Sequence, residues 1–395
     1  LLNEISECDG KERSDYLAVN DKYKILAINP GSTSTKIALF ENEAEIFSEN
    51  ITHQASELAQ FATVNDQYEY RKEIVLSALR DNGCKLEEIE AFSARGGKMG
   101  CIPGGTYLVE QTLLDYINLS IPMNHPCGLA PHIANEIACE QGGTAFMVNP
   151  PTVDEFIEVA RITGFRDIWR RSGVHALNQK EVAIRYANSL GKSYEELNLI
   201  VCHIGGGITV TAHRKGRMID SSAIMAGDGP MAPTRAGTLP VQDLLEMACS
   251  GEYTYKELWT RASRDGGLVD HLGTSDVREV VGRIKDGDRY AALVYEAMMY
   301  QIAKYAGSMA VSLDGSVDAI ILTGGIARDE YCVSEMRRQL SWIGPIAVIA
   351  GEFEMEALAA GALRVLRGEE EAMLFDGRPV WDHKEFLRRY NVTNK

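Results

Sequence analysis

The sequence predicts an α/β protein of two domains, with mixed sheets and a nucleotide cleft between them. Two segments about 175 residues apart are built alike: Lys24 to Phe40 (KILAINPGSTSTKIALF) and Leu197 to Asp220 (LNLIVCHIGGGITVTAHRKGRMID). Each is an apolar run, a turn of glycine or small hydroxyl residues, and a second apolar or β-branched run, which reads as strand, tight turn, strand. A third stretch, Asp318 to Glu330 (DAIILTGGIARDE), reads as a buried strand, a paired-glycine turn and a helix start. At 395 residues the chain also exceeds the size at which one core keeps growing.

Taken in order, residues 1–23 are polar, with Glu4, Glu7, Asp9, Lys11, Glu12 and Asp15, and lack the apolar stretch of a signal peptide. They are expected to form a disordered extension. In the first hairpin, the turn through Asn29, Gly31, Ser32, Thr33 and Ser34 presents backbone N–H groups and hydroxyls without bulk, as a polyphosphate requires. Lys36 follows on the returning strand, where a point charge reaches a terminal phosphoryl group. In the second hairpin, Gly205, Gly206 and Gly207 each weaken a strand by about 0.5–1 kcal/mol relative to Ala, so something must approach that backbone closely. His203 belongs to the same hairpin. A Walker A loop does not fit, because Ile37 follows Lys36 where a Ser or Thr is required. A dinucleotide fingerprint fails as well, since its third glycine would fall at Val210. Gly324, Gly325 and Ile326 in the third stretch suit a flat base or ribose lying against backbone.

Between these signals, strands and helices alternate, which argues for mixed sheets covered by helices on both faces. Thr152 to Glu155 reads as a capping box opening a helix, and Ser193 to Glu196 as the start of another turn just before the second hairpin. Glu296 to Leu313 reads as a long buried helix, with Met298 and Met299 as packing residues. Glu354 to Arg367 reads as an amphipathic helix stopped by Gly368.

The net charge of −16 argues against nucleic acid or an anionic membrane as a partner, and no apolar run is long enough to span a bilayer. Eight cysteines without a CxxC pair read as reduced thiols of a cytoplasmic protein, mostly core fillers. The eight histidines show no zinc spacing.

The stretches INPGSTSTK, SARGGKMG, VDEF, VHALNQK, LNLIVCHIGGG, DGPMAPTRAG, DAIILTGGIA and GALRVLRGEE, from about Lys24 to about Ala372, resemble the butyrate and branched-chain carboxylate kinases. These belong to the acetate kinase (acetokinase) family of the actin-like ATPase superfamily. The resemblance implies two actin-like (ribonuclease H-like) domains. The first would comprise 24–150 plus about 352–395, the C-terminal helix crossing back onto it, and the second 151–351. It implies ATP/ADP and Mg²⁺ as cofactors, a short-chain carboxylate or acyl phosphate as substrate, and a homo-oligomer of two or more copies.

A carboxylate nucleophile with a pKa near about 4.3 is already ionised at neutral pH and needs no general base. The site must instead supply charge to a loose transition state. Arg95 and Arg235, each in a glycine-bounded loop, are the cations that the resemblance places around carboxylate and phosphoryl group. His175 matches the histidine that hydrogen-bonds the phosphoryl group. His125 matches a substrate-side histidine, a structural role being the other reading. Asn149 stands where relatives place a metal-holding aspartate, and a second metal-side carboxylate is either Glu352 or Glu354. Asp154 is a possible substitute, helix-dipole stabilisation being its other role. A nucleotide-binding sensor on the same fold, without turnover, is the alternative function; Asn149 favours it and the arginine pair opposes it.

Overall fold

The computed structural model describes residues 22–97, 99–119, 125–223 and 227–391. The expected N-terminal extension lies outside them up to residue 21. The first sheet comprises β1 (Lys24–Pro30), β2 (Ser34–Glu41), β3 (Ala44–Thr52), β4 (Ala91–Ala94), β5 (Thr106–Leu108) and β6 (Thr144–Val148), in the order β3-β2-β1-β4-β6-β5. The second comprises β7 (Asn198–Ile204), β8 (Ile208–Arg214), β9 (Arg217–Ser221), β10 (Ala319–Gly324) and β11 (Ile346–Ala350), in the order β11-β10-β7-β8-β9.

Read from the third strand of each, β3-β2-β1-β4-β6 and β9-β8-β7-β10-β11 are one arrangement used twice. An antiparallel hairpin carries a third antiparallel strand on one side and two parallel strands on the other. Both sequence hairpins are thus the β1–β2 and β7–β8 pairs, with turns at 31–33 and 205–207.

Central strands buried on both faces read as continuous apolar runs rather than alternating ones. In β1, Leu26 and Ile28 face the core shared with helices Tyr68–Asp81 and Ala130–Gln141. Ile25 and Ala27 face Leu358 and Ala362 of helix Glu354–Leu366. In β7, Ile200, Cys202 and Ile204 pack with Met298, Met299 and Ile302 of helix Arg289–Ser312, while Leu199 and Val201 meet Val182 and Ala183 of helix Ala176–Ser189. Met298 and Met299 are fully buried, the packing role expected of them.

The helix Glu354–Leu366 ends before Gly368, whose φ of +71° is the left-handed conformation that glycine adopts cheaply. It lies on the first sheet, and the Ser93 hydroxyl donates to the Leu358 carbonyl at 2.6 Å to hold it there. The chain then bridges Tyr107 of β5 through Met373.

Two expectations are corrected. Thr152 to Glu155 opens no α-helix; only a 3₁₀ turn, Glu158–Arg161, follows. The carboxylate that such a box needs, Glu155, is taken by the Gly104 N–H at 3.0 Å, the Met218 N–H at 2.6 Å and Lys180 at 3.0 Å, while Asp154 is clamped by Arg161 in a buried bidentate ion pair with bonds of 2.8 and 2.7 Å. The cysteines are not mostly core fillers: of the seven described, all free, only Cys127, Cys202 and Cys332 are buried. The capping box at Ser193 does form, on a 3₁₀ turn at Tyr194–Glu196.

Candidate active site

The two turns, one from each sheet, meet the segment that returns from the second half to the first. Asn29 and Lys36 are cross-strand partners, so their side chains share the face of β1–β2 that helix Glu354–Leu366 covers. Asn29 is buried, and its Nδ2 donates to Glu354 Oε2 at 2.9 Å. Arg95 continues from β4, its backbone N–H bonded to the Ile28 carbonyl, and its Nη1 donates to the same Glu354 oxygen at 2.9 Å. Lys36 forms no ion pair among the described residues.

The glycines beside Arg95 serve the backbone. A Cβ at Gly96 would lie 2.6 Å from Pro150 Cβ, and one at Gly97 would lie 2.6 Å from Gly128 Cα. The Arg95 loop is therefore pressed against the turn that starts at His125. His125 Nε2 sits 3.2 Å from the Ser32 hydroxyl, which joins it to the first hairpin. Burial, then the Arg95 and Arg71 charges, lower its pKa and favour the neutral ring.

Ser32 and Thr33 are exposed, while Gly31 N–H closes the turn on the Ser34 carbonyl at 2.7 Å. Beneath it lies Arg71, fully buried, donating to the Ser34 carbonyl and to Thr35 Oγ1. Burial without a carboxylate partner brings its pKa down to about 10. It is a cation under the hairpin that no motif announced.

In the second turn, the close approach that the glycines require comes from the protein itself. A Cβ on Gly207 would lie 1.8 Å from Arg235 Nη1, so the guanidinium rests on this backbone. The loop that carries Arg235 is pinned by the Thr234 hydroxyl to the Gly206 carbonyl at 3.1 Å and by paired bonds between Ala232 and Arg235. Arg235 Nη1 is buried with no acceptor, and burial lowers the arginine's pKa. A buried unpaired donor is costly, and this one lies on the glycine turn, where an anionic group would satisfy it. Gly206 is exposed with nothing within 4 Å of a Cβ, leaving its backbone open.

His175 and His203 stack with ring centroids 3.8 Å apart and planes 16° from parallel. Asn178 orders His203. Its Oδ1 accepts from the Phe353 N–H at 3.0 Å, so its Nδ2 faces and donates to His203 Nδ1 at 2.9 Å, leaving the proton of His203 on Nε2. Burial, with Arg95, pushes the His203 pKa down to about 3. Burial also places His175 well below the ordinary imidazole value, aided by His203, Arg235 and Arg95. Both predicted arginines thus act on the predicted histidine.

Gly324 has φ +88°, and a Cβ there would strike the Ile204 carbonyl at 2.4 Å; it is glycine so that β10 can approach β7. Gly325 is open. Ile326 packs in the second core, leaving only its backbone for a ligand. The segment 351–355 directs one carboxylate to each turn. Glu354 faces Asn29 and Arg95, whereas Glu352 Oε1 lies 3.3 Å from the point a Gly205 Cβ would occupy, beside His203 Nε2 at 3.2 Å. No group of three His, Cys, Asp or Glu suited to a metal occurs among the described residues. Two carboxylates fit a Mg²⁺ that takes its remaining ligands from phosphates and water, not a protein-only cage.

Asn149 is buried at φ +39°. Its Oδ1 accepts from the Gly105 N–H at 2.8 Å and makes no hydrogen bond to Arg95, His175, Glu352 or Glu354 among the described residues, although Pro150 beside it touches the Arg95 loop. Asp154 is engaged by Arg161 as described.

Three buried histidines, His53, His203 and His213, and the half-buried His175 have depressed pKa values, each chiefly through burial. The unfolded chain binds protons at these rings below about pH 6.5 while the folded chain does not, so stability falls as pH drops through that value. Each ring is expected to cost about 1.4 kcal/mol per pH unit there, down to its folded pKa. Thermal unfolding between pH 7 and 5 should show a falling midpoint; a flat profile would contradict neutral burial.

The doubled sheet topology, with a glycine turn from each half at one site, defines the class as the actin-like ATPase fold. A family model for the acetokinase family matches residues 154–347. Butyrate kinase 1 of Clostridium acetobutylicum is 45% identical over 350 residues, which span 89% of this chain and 99% of that protein. A probable butyrate kinase of Clostridium botulinum (strain Eklund 17B / Type B) is 43% identical over 353 residues, with the same coverage. Among solved structures, Porphyromonas gingivalis acetate kinase superposes with a TM-score of 0.72 at 20% identity, over 87% of this chain and all of that one. A Francisella tularensis propionate kinase gives 0.69 at 21% identity, over 86% and 98%. The chain belongs to the acetokinase family.

Proposed function

We propose that this chain transfers the terminal phosphoryl group of ATP to a short-chain carboxylate, butyrate or a branched relative, and runs the reverse reaction from acyl phosphate and ADP. The observation that carries this reading is the buried, unpaired Nη1 of Arg235 on the second glycine turn, with Arg95 and His175 beside it. In this reading Arg95 orients the carboxylate, Arg235 and a neutral His175 meet the charge that spreads over the transferring group, and the two turns hold the phosphate tail. Magnesium, bound with the nucleotide near Glu352 or Glu354, would neutralise phosphate oxygens. The carboxylate is already ionised, so transfer needs no proton removed.

The partition into 24–150 plus about 352–395, and 151–351, is part of the same reading, supported by helix Glu354–Leu366 on the first sheet. The helix Val241–Cys249 has no buried residue and exposes Val241, Leu244 and Leu245, which supports a homo-oligomer. No helix among the described residues is long and apolar enough to cross a membrane, in keeping with a cytoplasmic enzyme.

Hydroxylamine trapping with ATP, Mg²⁺ and butyrate tests the function directly. Acyl hydroxamate should form with butyrate, and no phosphorylated product with glucose or glycerol. Sugar phosphorylation without hydroxamate would overturn it. Asn149→Asp probes the metal reading: an added carboxylate near the phosphates should lower the Mg²⁺ concentration needed for half-maximal rate. An unchanged Mg²⁺ dependence would assign Asn149 solely to its bond with Gly105.

A further inference from the structure

The motif VHALNQK contains more than its histidine. Gln179, one residue beyond Asn178, is completely buried, and its Nε2 lies 2.7 Å from Thr209 Oγ1 and 3.3 Å from the Thr209 carbonyl. A carbonyl only accepts, so the amide nitrogen faces Thr209 and Oε1 faces His213 Nε2 at 3.2 Å. His213 Nε2 must then carry a proton. With the ring buried and neutral, Nδ1 is unprotonated and accepts from the Tyr194 hydroxyl at 2.6 Å. At the other end, Thr209 Oγ1 accepts from Gln179 and lies 2.9 Å from His175 Nδ1. That nitrogen is the one acceptor beside the Thr209 hydroxyl among the described residues, and a buried hydroxyl is satisfied when it donates.

We propose that Tyr194, His213, Gln179 and Thr209 form a buried donor chain that keeps the proton of His175 on Nε2, making Thr209 and Gln179 positioning residues for phosphoryl transfer. Every link runs one way: Tyr194 hydroxyl to His213, His213 to Gln179, Gln179 to Thr209, Thr209 to His175. Each group donates one proton and receives one, except Tyr194 at the head. His203 is held in the same tautomer by Asn178, so both stacked rings carry their protons on Nε2. A neutral ring with a fixed donor adds a hydrogen bond to the transferring group without needing to be charged. The dependence on transfer rests on the reading of His175 as a site residue; the tautomer does not.

The test uses the full chain labelled with ¹⁵N-histidine, each ring assigned by single substitution, and compares wild type with Thr209→Val and Thr209→Ser. Long-range ¹H–¹⁵N spectra at pH 7 should show His175 of the wild type protonated on Nε2 alone. Thr209→Val, which keeps the shape and loses the hydroxyl, should give a mixture of tautomers. Its kcat should fall at least about tenfold with KM for ATP little changed, near the lower end of the 10- to 100-fold typical of outer hydrogen-bond partners of ligating histidines. Thr209→Ser should recover both signals. Wild-type His175 protonated on Nδ1, or a single Nε2 tautomer retained in Thr209→Val, would overturn the chain. A tautomer mixture with unchanged kcat would uphold the chain but overturn the positioning role, and would place His175 outside the reacting centre. Unfolding midpoints of the three proteins, measured alongside, identify any rate loss that is only loss of fold.

Discussion

Arg235→Ala is expected to lower turnover by roughly 10³-fold or more without lowering the unfolding midpoint. The two halves of that result have one cause. Arg235 Nη1 is buried and without an acceptor, so removing the side chain relieves a desolvated donor instead of breaking a bond. The activity is lost because the guanidinium that should meet the transferring group is gone. Arg95→Ala should cost a comparable factor by another route, since it also strips Glu354 Oε2 of its charged donor and leaves only the Asn29 amide. Lysine should restore either activity poorly, because a planar fork matches carboxylate and phosphate oxygens where a point charge does not. Steady-state kinetics with butyrate and ATP decide this; near wild-type turnover in both alanine variants would remove the arginines from the site.

Gly207→Ala is expected to lower turnover by displacing Arg235. The added Cβ would sit 1.8 Å from Arg235 Nη1, far inside contact distance, so the guanidinium must leave its place. A displacement of about 1 Å at a catalytic group can cost about 10²-fold, and kcat should fall by that order. Gly206→Ala provides the contrast. Nothing lies within 4 Å of its Cβ and its φ is not positive, so the free protein should tolerate it, while KM for ATP should rise if phosphates approach this backbone. Wild-type kcat in Gly207→Ala would show that Arg235 need not rest on this turn.

What was legible in the sequence was what is local. Each phosphate turn is one hairpin of consecutive residues, so apolar runs and glycines sufficed to find β1–β2, β7–β8 and the turn after β10. The burial of strands on both faces also shows as unbroken apolar runs. What escaped depended on distant partners. The Gly207 backbone is occupied by a side chain 28 residues further on, and Arg71 reaches the first hairpin from a helix 36 residues beyond Thr35. Thr152 to Glu155 has the letters of a capping box, but Gly104, Met218 and Lys180, all distant in the chain, take the glutamate that would close it. The two candidate carboxylates at 352 and 354 could not be told apart in sequence, because facing one turn or the other depends on how the segment threads between the halves. Gln179 and Asn178 were inside a motif already noticed, yet adjacent helix positions do not reveal that each amide is turned to a different histidine.

One transferring phosphoryl group is expected to sit between Arg95, Arg235 and His175. A crystal structure with ADP, Mg²⁺, butyrate and a planar metal fluoride in place of the phosphoryl group measures this directly. The fluoride should lie within about 3 Å of Arg235 Nη1 and His175 Nε2, with the butyrate carboxylate on Arg95 and the ADP phosphates along the Gly205–Gly207 backbone. A fluoride bound in the same crystals with Arg235 Nη1 still unpaired and His175 Nε2 turned away from it would remove both residues from the transfer.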